Sequence, residues 1–235
     1  MSKKNTRTYG QALSQVSAWF RQKDWTVFDF QKECWQAVYE GHDGLLHAPT
    51  GSGKTHALWM PHILHWLQNP EASDRGLQLI WITPLKALAK DMERQFQQTV
   101  QDFNLSVRVE RRTGDVSASV KKRQQTRMPE VLITTPESLH VLMAQKKHER
   151  YFKGLHTIVV DEWHELMGSK RGTQTELFLA RARDVQPKVQ TWGISATLGN
   201  MDEALEVLMG IYWIINSSLK EKNEAARISV PSSQS

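Results

Sequence analysis

Ala48-Pro49-Thr50-Gly51-Ser52-Gly53-Lys54-Thr55 decides how the rest of the chain is read. A short apolar run, Leu45-Leu46, precedes it, and a helix-forming segment from His56 to about Gln68 follows. Strand, Gly-rich turn and helix in that order is the context a phosphate-binding loop requires. The glycines let the backbone curl so that the N–H groups of Thr50, Gly51, Ser52 and Gly53 point at phosphate oxygens, and the helix N-terminus adds a favourable dipole. Lys54 supplies a charge for the β- and γ-phosphates, and the Thr55 hydroxyl suits Mg²⁺. The loop departs from the commonest pattern at its first position, which is Ala48 rather than glycine.

Outward from this loop, short apolar runs alternate with longer helical patterns. Strands are expected at 45–48, 77–83, 107–109, 131–134, 157–161 and 191–195. Several of these, such as Ile158-Val159-Val160, are continuous apolar runs of the kind found in strands covered on both faces. Leu85, Leu88, Met92, Phe96, Val100 and Phe103 recur at helical spacing, as do Leu13, Val16 and Phe20. A further helix is expected over 30–40, with Asp29 as its N-cap and Gly41 as its stop. Asn200 and Glu203 suggest a capping box for a helix over 202–209, closed by Gly210. This alternation predicts an α/β fold, a mostly parallel sheet with helices on both faces, of the P-loop NTPase type. In such sheets ligands sit beyond the carboxyl ends of the strands.

The domain reading is an N-terminal helical extension over 1–25, a nucleotide-binding domain over 26–210 and a tail over 211–235. That tail is polar after Ile211–Ile215 and is expected to lack order. Lys and Arg exceed Asp and Glu, 30 to 25, a modest excess that fits a nucleic-acid partner and a solvated surface equally. One cysteine, Cys34, excludes an internal disulfide framework and points to a reducing compartment. No run is long enough to span a bilayer, and a cytoplasmic location is expected, with no membrane partner.

A phosphate loop needs a second element to hold the metal and activate water. Ile158-Val159-Val160-Asp161-Glu162 fits, with Asp161 as the Mg²⁺ holder and Glu162 as the general base. Of the nine tryptophans, those at 19, 35, 59, 66, 81 and 192 fall in helical or strand patterns that suit core packing. Trp163, next to the acidic pair, is open to a coupling role.

Asp161-Glu162-Trp163-His164 resembles a DExH box, and Ser195-Ala196-Thr197 resembles the motif that couples hydrolysis to movement in superfamily 2 helicases. Those helicases also carry the alanine form of the phosphate loop. Thr83-Pro84-Leu85-Lys86, Arg112-Thr113-Gly114-Asp115 and Thr134-Thr135-Pro136-Glu137 look like the DNA-contacting motifs of the first helicase lobe. With Ser169-Lys170-Arg171-Gly172, they look most like the Lhr group, and within it the bacterial ligase-associated DExH-box helicases. The resemblance runs from about Trp19 to Gly210.

The resemblance implies a RecA-like first lobe that uses ATP and Mg²⁺. Gln31, with Phe28 or Phe30 nearby, would recognise adenine. His164 would link the nucleotide site to Ser195 and Thr197. Thr83, Lys86, Arg112, Thr113, Gly114, Thr135 and Pro136 would track a strand of single-stranded or tailed DNA, with RNA also open, by contacting phosphates without reading bases. A DNA ligase or nuclease is the implied repair partner. The second lobe, which donates arginines to the γ-phosphate and whose absence costs about 10³–10⁵ in rate, has no counterpart after Gly210. A truncated or frameshifted product with little turnover, or a catalytically inert remnant, is the corresponding expectation.

Overall fold

The computed structural model describes residues 7–70, 76–146, 148–196, 203–209 and 226–229. Chain order is α1 (Tyr9–Gln22), α2 (Asp29–Tyr39), β1 (Gly44–His47), α3 (Lys54–Gln68), β2 (Leu79–Ile82), α4 (Lys86–Asp102), β3 (Val109–Arg112), α5 (Ala118–Thr126), β4 (Val131–Thr134), α6 (Pro136–Met143), α7 (Glu149–Phe152), β5 (Thr157–Val160), α8 (Trp163–Leu166), α9 (Lys170–Val185) and β6 (Gln190–Ser195). A helix over 203–209, α10, and the strand β7 (Ala226–Ser229) follow. The strands form one seven-stranded sheet in the order β3-β4-β2-β5-β6-β1-β7, and every pairing is parallel.

The period-two geometry of a strand explains how one sheet serves two cores. Leu46, Leu79, Trp81, Val131, Ile133, Val159 and Trp192 face one side, with α1 to α4. Leu45, Ile80, Ile82, Leu132, Ile158 and Val160 face the other, with α6 to α10. Each residue of β2, β4 and β5 is therefore buried. The tryptophans at 19, 35, 59, 66, 81 and 192 are core residues, none above 6% exposed. Trp163 joins them: it is fully buried, and its Nε1 donates to Ala204 O at 2.9 Å, tying α8 to α10.

Several expectations are corrected. The N-cap of α2 is Phe28, not Asp29; its backbone is extended, and its N–H donates to Gln31 Oε1 at 3.0 Å, so the glutamine caps from inside the helix. The third strand lies at 109–112 rather than 107–109, and as an edge strand it carries charge. Ser169-Lys170-Arg171-Gly172, to which the pattern assigns no element, is the N-cap and first turn of the 16-residue α9. Part of the tail is ordered, since β7 pairs with β1 in the register Leu46↔Ile228, and Ile228 packs into the core at 7% exposure. That pairing covers an edge that β1 would otherwise leave open. Asn200, Gly210 and 211–225 lie outside the described residues. Among the described residues no helix is long and apolar enough to cross a membrane.

Candidate functional site

All the strands run the same way, so their carboxyl ends share one rim, and strand order sorts the loops along it. β5, β6 and β1 are neighbours, which gathers the Gly-rich loop, the acidic pair and Ser195. β2, β4 and β3 are neighbours, which gathers the threonine loops. β5, next to β2, stands where the two groups meet.

On the first side, Gly51 and Gly53 hold left-handed φ values of 82° and 88°, open to glycine and strained for other residues. Gly53 is also crowded, because a Cβ there would lie 2.7 Å from Gln31 Nε2. The turn is closed by Ser52, whose Oγ donates to Pro49 O at 2.8 Å. Lys54 opens α3, 8% exposed, and its Nζ donates to Ala48 O at 2.6 Å and Pro49 O at 2.8 Å. Burial pushes its pKa down, and the charges of Glu162 and Asp161 oppose that shift.

Gln31 is 2% exposed and already doubly engaged: Oε1 accepts from Phe28 N and Nε2 donates to Gly53 O at 3.1 Å. One lone pair and one N–H of the amide are left for a ligand. Gln31, Phe28, Thr50, Gly51, Ser52, Gly53, Lys54, Thr55, Asp161 and Glu162 line a single cavity of about 540 Å³.

Asp161 lines this cavity and is 7% exposed. Burial, followed by the neighbouring Glu162 charge, raises its pKa to about 6, while bonds from Trp81 Nε1 at 3.3 Å and Glu162 N at 3.0 Å work against the shift. Glu162 holds φ 49° and ψ 46°, a left-handed conformation costing a non-glycine residue about 1–2 kcal/mol. His164 Nδ1 lies 2.9 Å from Ser195 Oγ and 3.5 Å from Glu162 Oε2. Thr197 lies outside the described residues.

These donors fit Mg²⁺. The Thr55 hydroxyl and Asp161 carboxylate are hard oxygens, and a cation would relieve the burial that now disfavours the Asp161 charge. Among the described residues no group of three or more His, Cys, Asp or Glu could hold a metal alone.

On the second side the predicted residues divide. Lys86 and Gly114 meet: a Cβ on Gly114 would lie 3.1 Å from Lys86 Nζ. Pro136 is the first residue of α6. The side chains of Thr83, Thr113 and Thr135 point inward, none above 2% exposed. Thr113 Oγ1 donates to Asp115 Oδ1 at 2.5 Å, and Thr135 Oγ1 donates to Ser138 Oγ at 3.2 Å. Buried Thr83 Oγ1 has no hydrogen-bond partner among the described residues.

Arg112 does not reach this surface. It is 3% exposed, and its Nη1 donates to Lys121 O at 3.1 Å and Gln124 Oε1 at 3.0 Å, so it anchors α5. A second arginine, Arg171, does reach it. Its Nε is 2.6 Å from Glu137 Oε1 and its Nη1 3.5 Å from Pro84 O, joining the loops after β2 and β4. Gly172 fixes this placement, since a Cβ there would lie 2.1 Å from Leu166 O and the helix start packs directly on that carbonyl.

The family model for the DEAD/DEAH box helicases matches residues 28–204. This chain belongs to the DEAD/DEAH box helicase family. It is 30% identical over 229 residues to the ATP-dependent helicase Lhr-Core of Methanocaldococcus jannaschii, covering 91% of this chain and 27% of that protein. It is 30% identical over 212 residues to the Lhr helicase/uracil glycosylase of Escherichia coli, covering 80% of this chain and 14% of that protein. The structure of Mycobacterium smegmatis helicase Lhr bound to ssDNA and AMP-PNP superimposes with a TM-score of 0.74 at 27% identity, over 96% of this chain and 28% of that one. The sheet is thus the RecA-like lobe of such helicases, and the chain spans about a quarter of the length of the Lhr-Core relative.

In this DEAD/DEAH box domain the box occupies the left-handed turn at Glu162 and the start of α8. Its last member, His164, reaches across to Ser195 at the carboxyl end of β6.

Proposed function

We propose that this chain is the ATP-binding, nucleic-acid-contacting first lobe of an ATP-dependent DNA helicase of the Lhr type, acting in DNA repair and belonging to the ligase-associated subgroup. The partition of the sheet rim carries this reading: one side gathers a phosphate loop and two carboxylates in one cavity, and the other gathers backbone-rich loops and helix starts. The Mycobacterium smegmatis helicase Lhr, part of which this chain resembles, is bound to ssDNA and AMP-PNP in its structure.

Within this reading the loop N–H groups and Lys54 hold the triphosphate, Lys54 exchanging its bonds to Ala48 O and Pro49 O for phosphate oxygens. Thr55 and Asp161 hold Mg²⁺, which supplies charge neutralisation at the phosphates. Glu162 accepts the proton of the attacking water. His164 carries the resulting displacement to Ser195. The loops at Pro84, Gly114 and Pro136 take the sugar–phosphate strand with backbone N–H groups and Lys86, which gives affinity without sequence preference.

The test is binding of Mg-ATP and of a single-stranded oligonucleotide to the wild type and to Lys54→Ala. Nucleotide binding is expected to vanish in the variant while oligonucleotide binding persists. Unchanged nucleotide affinity would overturn the site assignment.

A further inference from the structure

The positive charge of the chain is not spread evenly along it. Residues 108–153 carry eleven Lys and Arg against five Asp and Glu, whereas the rest of the chain carries nineteen against twenty. All five acids of that segment are paired. Glu110, Asp115 and Glu130 meet Arg123, Arg111 and Arg108 within it, and Glu137 and Glu149 meet Arg171 and Arg181 of α9. Lys121, Lys122, Lys146, Arg150 and Lys153 are left with no carboxylate partner among the described residues, and all but the half-buried Lys121 are exposed.

Packing gathers these cations into one strip that starts at the rim. Since β3 and β4 are parallel, α5 must carry the chain from the rim back to the amino end of the sheet. Near its start, Lys121 Nζ donates to Gly114 O at 3.1 Å, and Arg112 Nη1 donates to Lys121 O at 3.1 Å, which fixes the helix against β3. Nine residues take α5 roughly 13 Å along this path. At its far end Arg150 Nη2 donates to Gln125 O at 3.0 Å and sets α7 against the last turn of α5. Lys146 stands three residues ahead of α7, and Lys153, its C-cap, shares the helical face of Arg150. None of these residues lines the nucleotide cavity.

Cations without carboxylate partners take up phosphates with no ion pair to break, and each phosphate neutralised releases a counterion. The strip is continuous with the rim, because its first member, Lys121, is bonded to the Gly114 loop. Resting on the nucleic-acid reading of that rim, we propose that α5 and α7 form a second contact surface for the sugar–phosphate chain, taking the length of strand that runs past the Gly114 loop. Its contacts are ammonium and guanidinium groups on phosphates, so it senses strand length and not sequence. The rim positions the strand, and the strip adds salt-dependent affinity that only a longer strand can use.

The experiment is fluorescence anisotropy with labelled single-stranded oligonucleotides of about 6 and about 16 nucleotides over a salt series. It compares the wild type, the double variant Lys122→Gln/Lys146→Gln, and Arg21→Gln/Lys32→Gln as a charge-matched control on α1 and α2. The wild type is expected to bind the longer oligonucleotide more tightly and with a steeper slope of log affinity against log salt. Lys122→Gln/Lys146→Gln is expected to reduce that slope by about 1.4, two phosphate contacts at about 0.7 each. It should weaken the longer oligonucleotide several-fold and leave the shorter one unchanged, and the control should leave both unchanged. An unaltered slope for the longer oligonucleotide would overturn the proposal and leave the rim reading standing. Equal weakening by the control variant would overturn it too, since net charge alone would then account for the effect. Failure of the wild type to bind either oligonucleotide would overturn the rim reading itself, and the proposal with it.

Discussion

His164 Nδ1 and Ser195 Oγ lie 2.9 Å apart, a hydrogen bond that joins the first turn of α8 to the carboxyl end of β6. Ser195 is fully buried, so the bond is not exchanged freely with water. Removing either partner leaves the other without it. His164→Ala and Ser195→Ala are each expected to destabilise the fold by about 0.5–1.5 kcal/mol. The double variant should be less destabilised than the sum of the two, because the shared bond is lost only once. Urea denaturation of the four proteins measures this, and strict additivity would show that the pair does not act as a unit. Mg-ATP affinity should change by less than about threefold, since neither residue lines the cavity.

Asp161 gives a pH dependence with a definite sign. Its folded pKa is raised from 3.8 to about 6, so the folded state holds the proton more tightly than the unfolded chain. Stability therefore falls as pH rises from about 4 to 6, and the full cost of the charged buried carboxylate is present above that range. Asp161→Asn removes the cost and is expected to raise stability at pH 8 by on the order of 1–3 kcal/mol while abolishing Mg-nucleotide binding. Mg-nucleotide affinity of the wild type is expected to weaken as pH drops below about 6. Thermal melts at pH 5 and pH 8 check the first statement. A variant less stable than wild type at pH 8 would contradict it.

Arg171 and Glu137 form an ion pair with both side chains about half exposed, so little stability should depend on it. Arg171→Ala is expected to leave folding stability within about 1 kcal/mol of wild type. Single-strand affinity should fall by several-fold, and the slope of log affinity against log salt by about one. Fluorescence anisotropy with a labelled oligonucleotide over a salt series reads both. An unchanged slope would remove Arg171 from the strand-binding surface.

Gly172 and Gly10 offer a matched contrast between two helical glycines. A Cβ at Gly172 would meet the carbonyl of Leu166, a backbone atom that cannot swing aside, whereas one at Gly10 meets nothing within 4 Å. Gly172→Ala is expected to destabilise by about 1–3 kcal/mol. Gly10→Ala should stabilise by up to about 1 kcal/mol through helix propensity. Paired denaturation curves decide, and equal effects at the two positions would contradict the steric account.

What the sequence made legible follows from burial. β2, β4 and β5 are covered on both faces, so each reads as an unbroken apolar run, and the loops that follow them could be placed on one rim. β3 is an edge strand with Glu110, Arg111 and Arg112 in it, which left only its first residue visible as apolar. α9 hides behind Lys170-Arg171-Gly172, whose composition suits a turn and whose real constraint is the approach to Leu166 O. The phosphate loop and the acidic pair could be assigned to one cavity from sequence because each follows a buried parallel strand and so lies at the same end of the sheet. Charge alone did not tell which arginine faces outward. Arg112 and Arg171 are alike in type, and only packing buries one against α5 and leaves the other between two loops.

The central claim is that one sheet rim holds two ligands side by side, with nucleotide on the loops after β1, β5 and β6 and a nucleic-acid strand on those after β2, β3 and β4. Hydrogen exchange of the chain with Mg-AMP-PNP and, separately, with a single-stranded oligonucleotide tests it directly. The nucleotide is predicted to slow exchange at 50–55 and 161–164, and the oligonucleotide at 84–87, 113–115 and 135–138. Protection of 50–55 by the oligonucleotide, or of the threonine loops alone by the nucleotide, would contradict it.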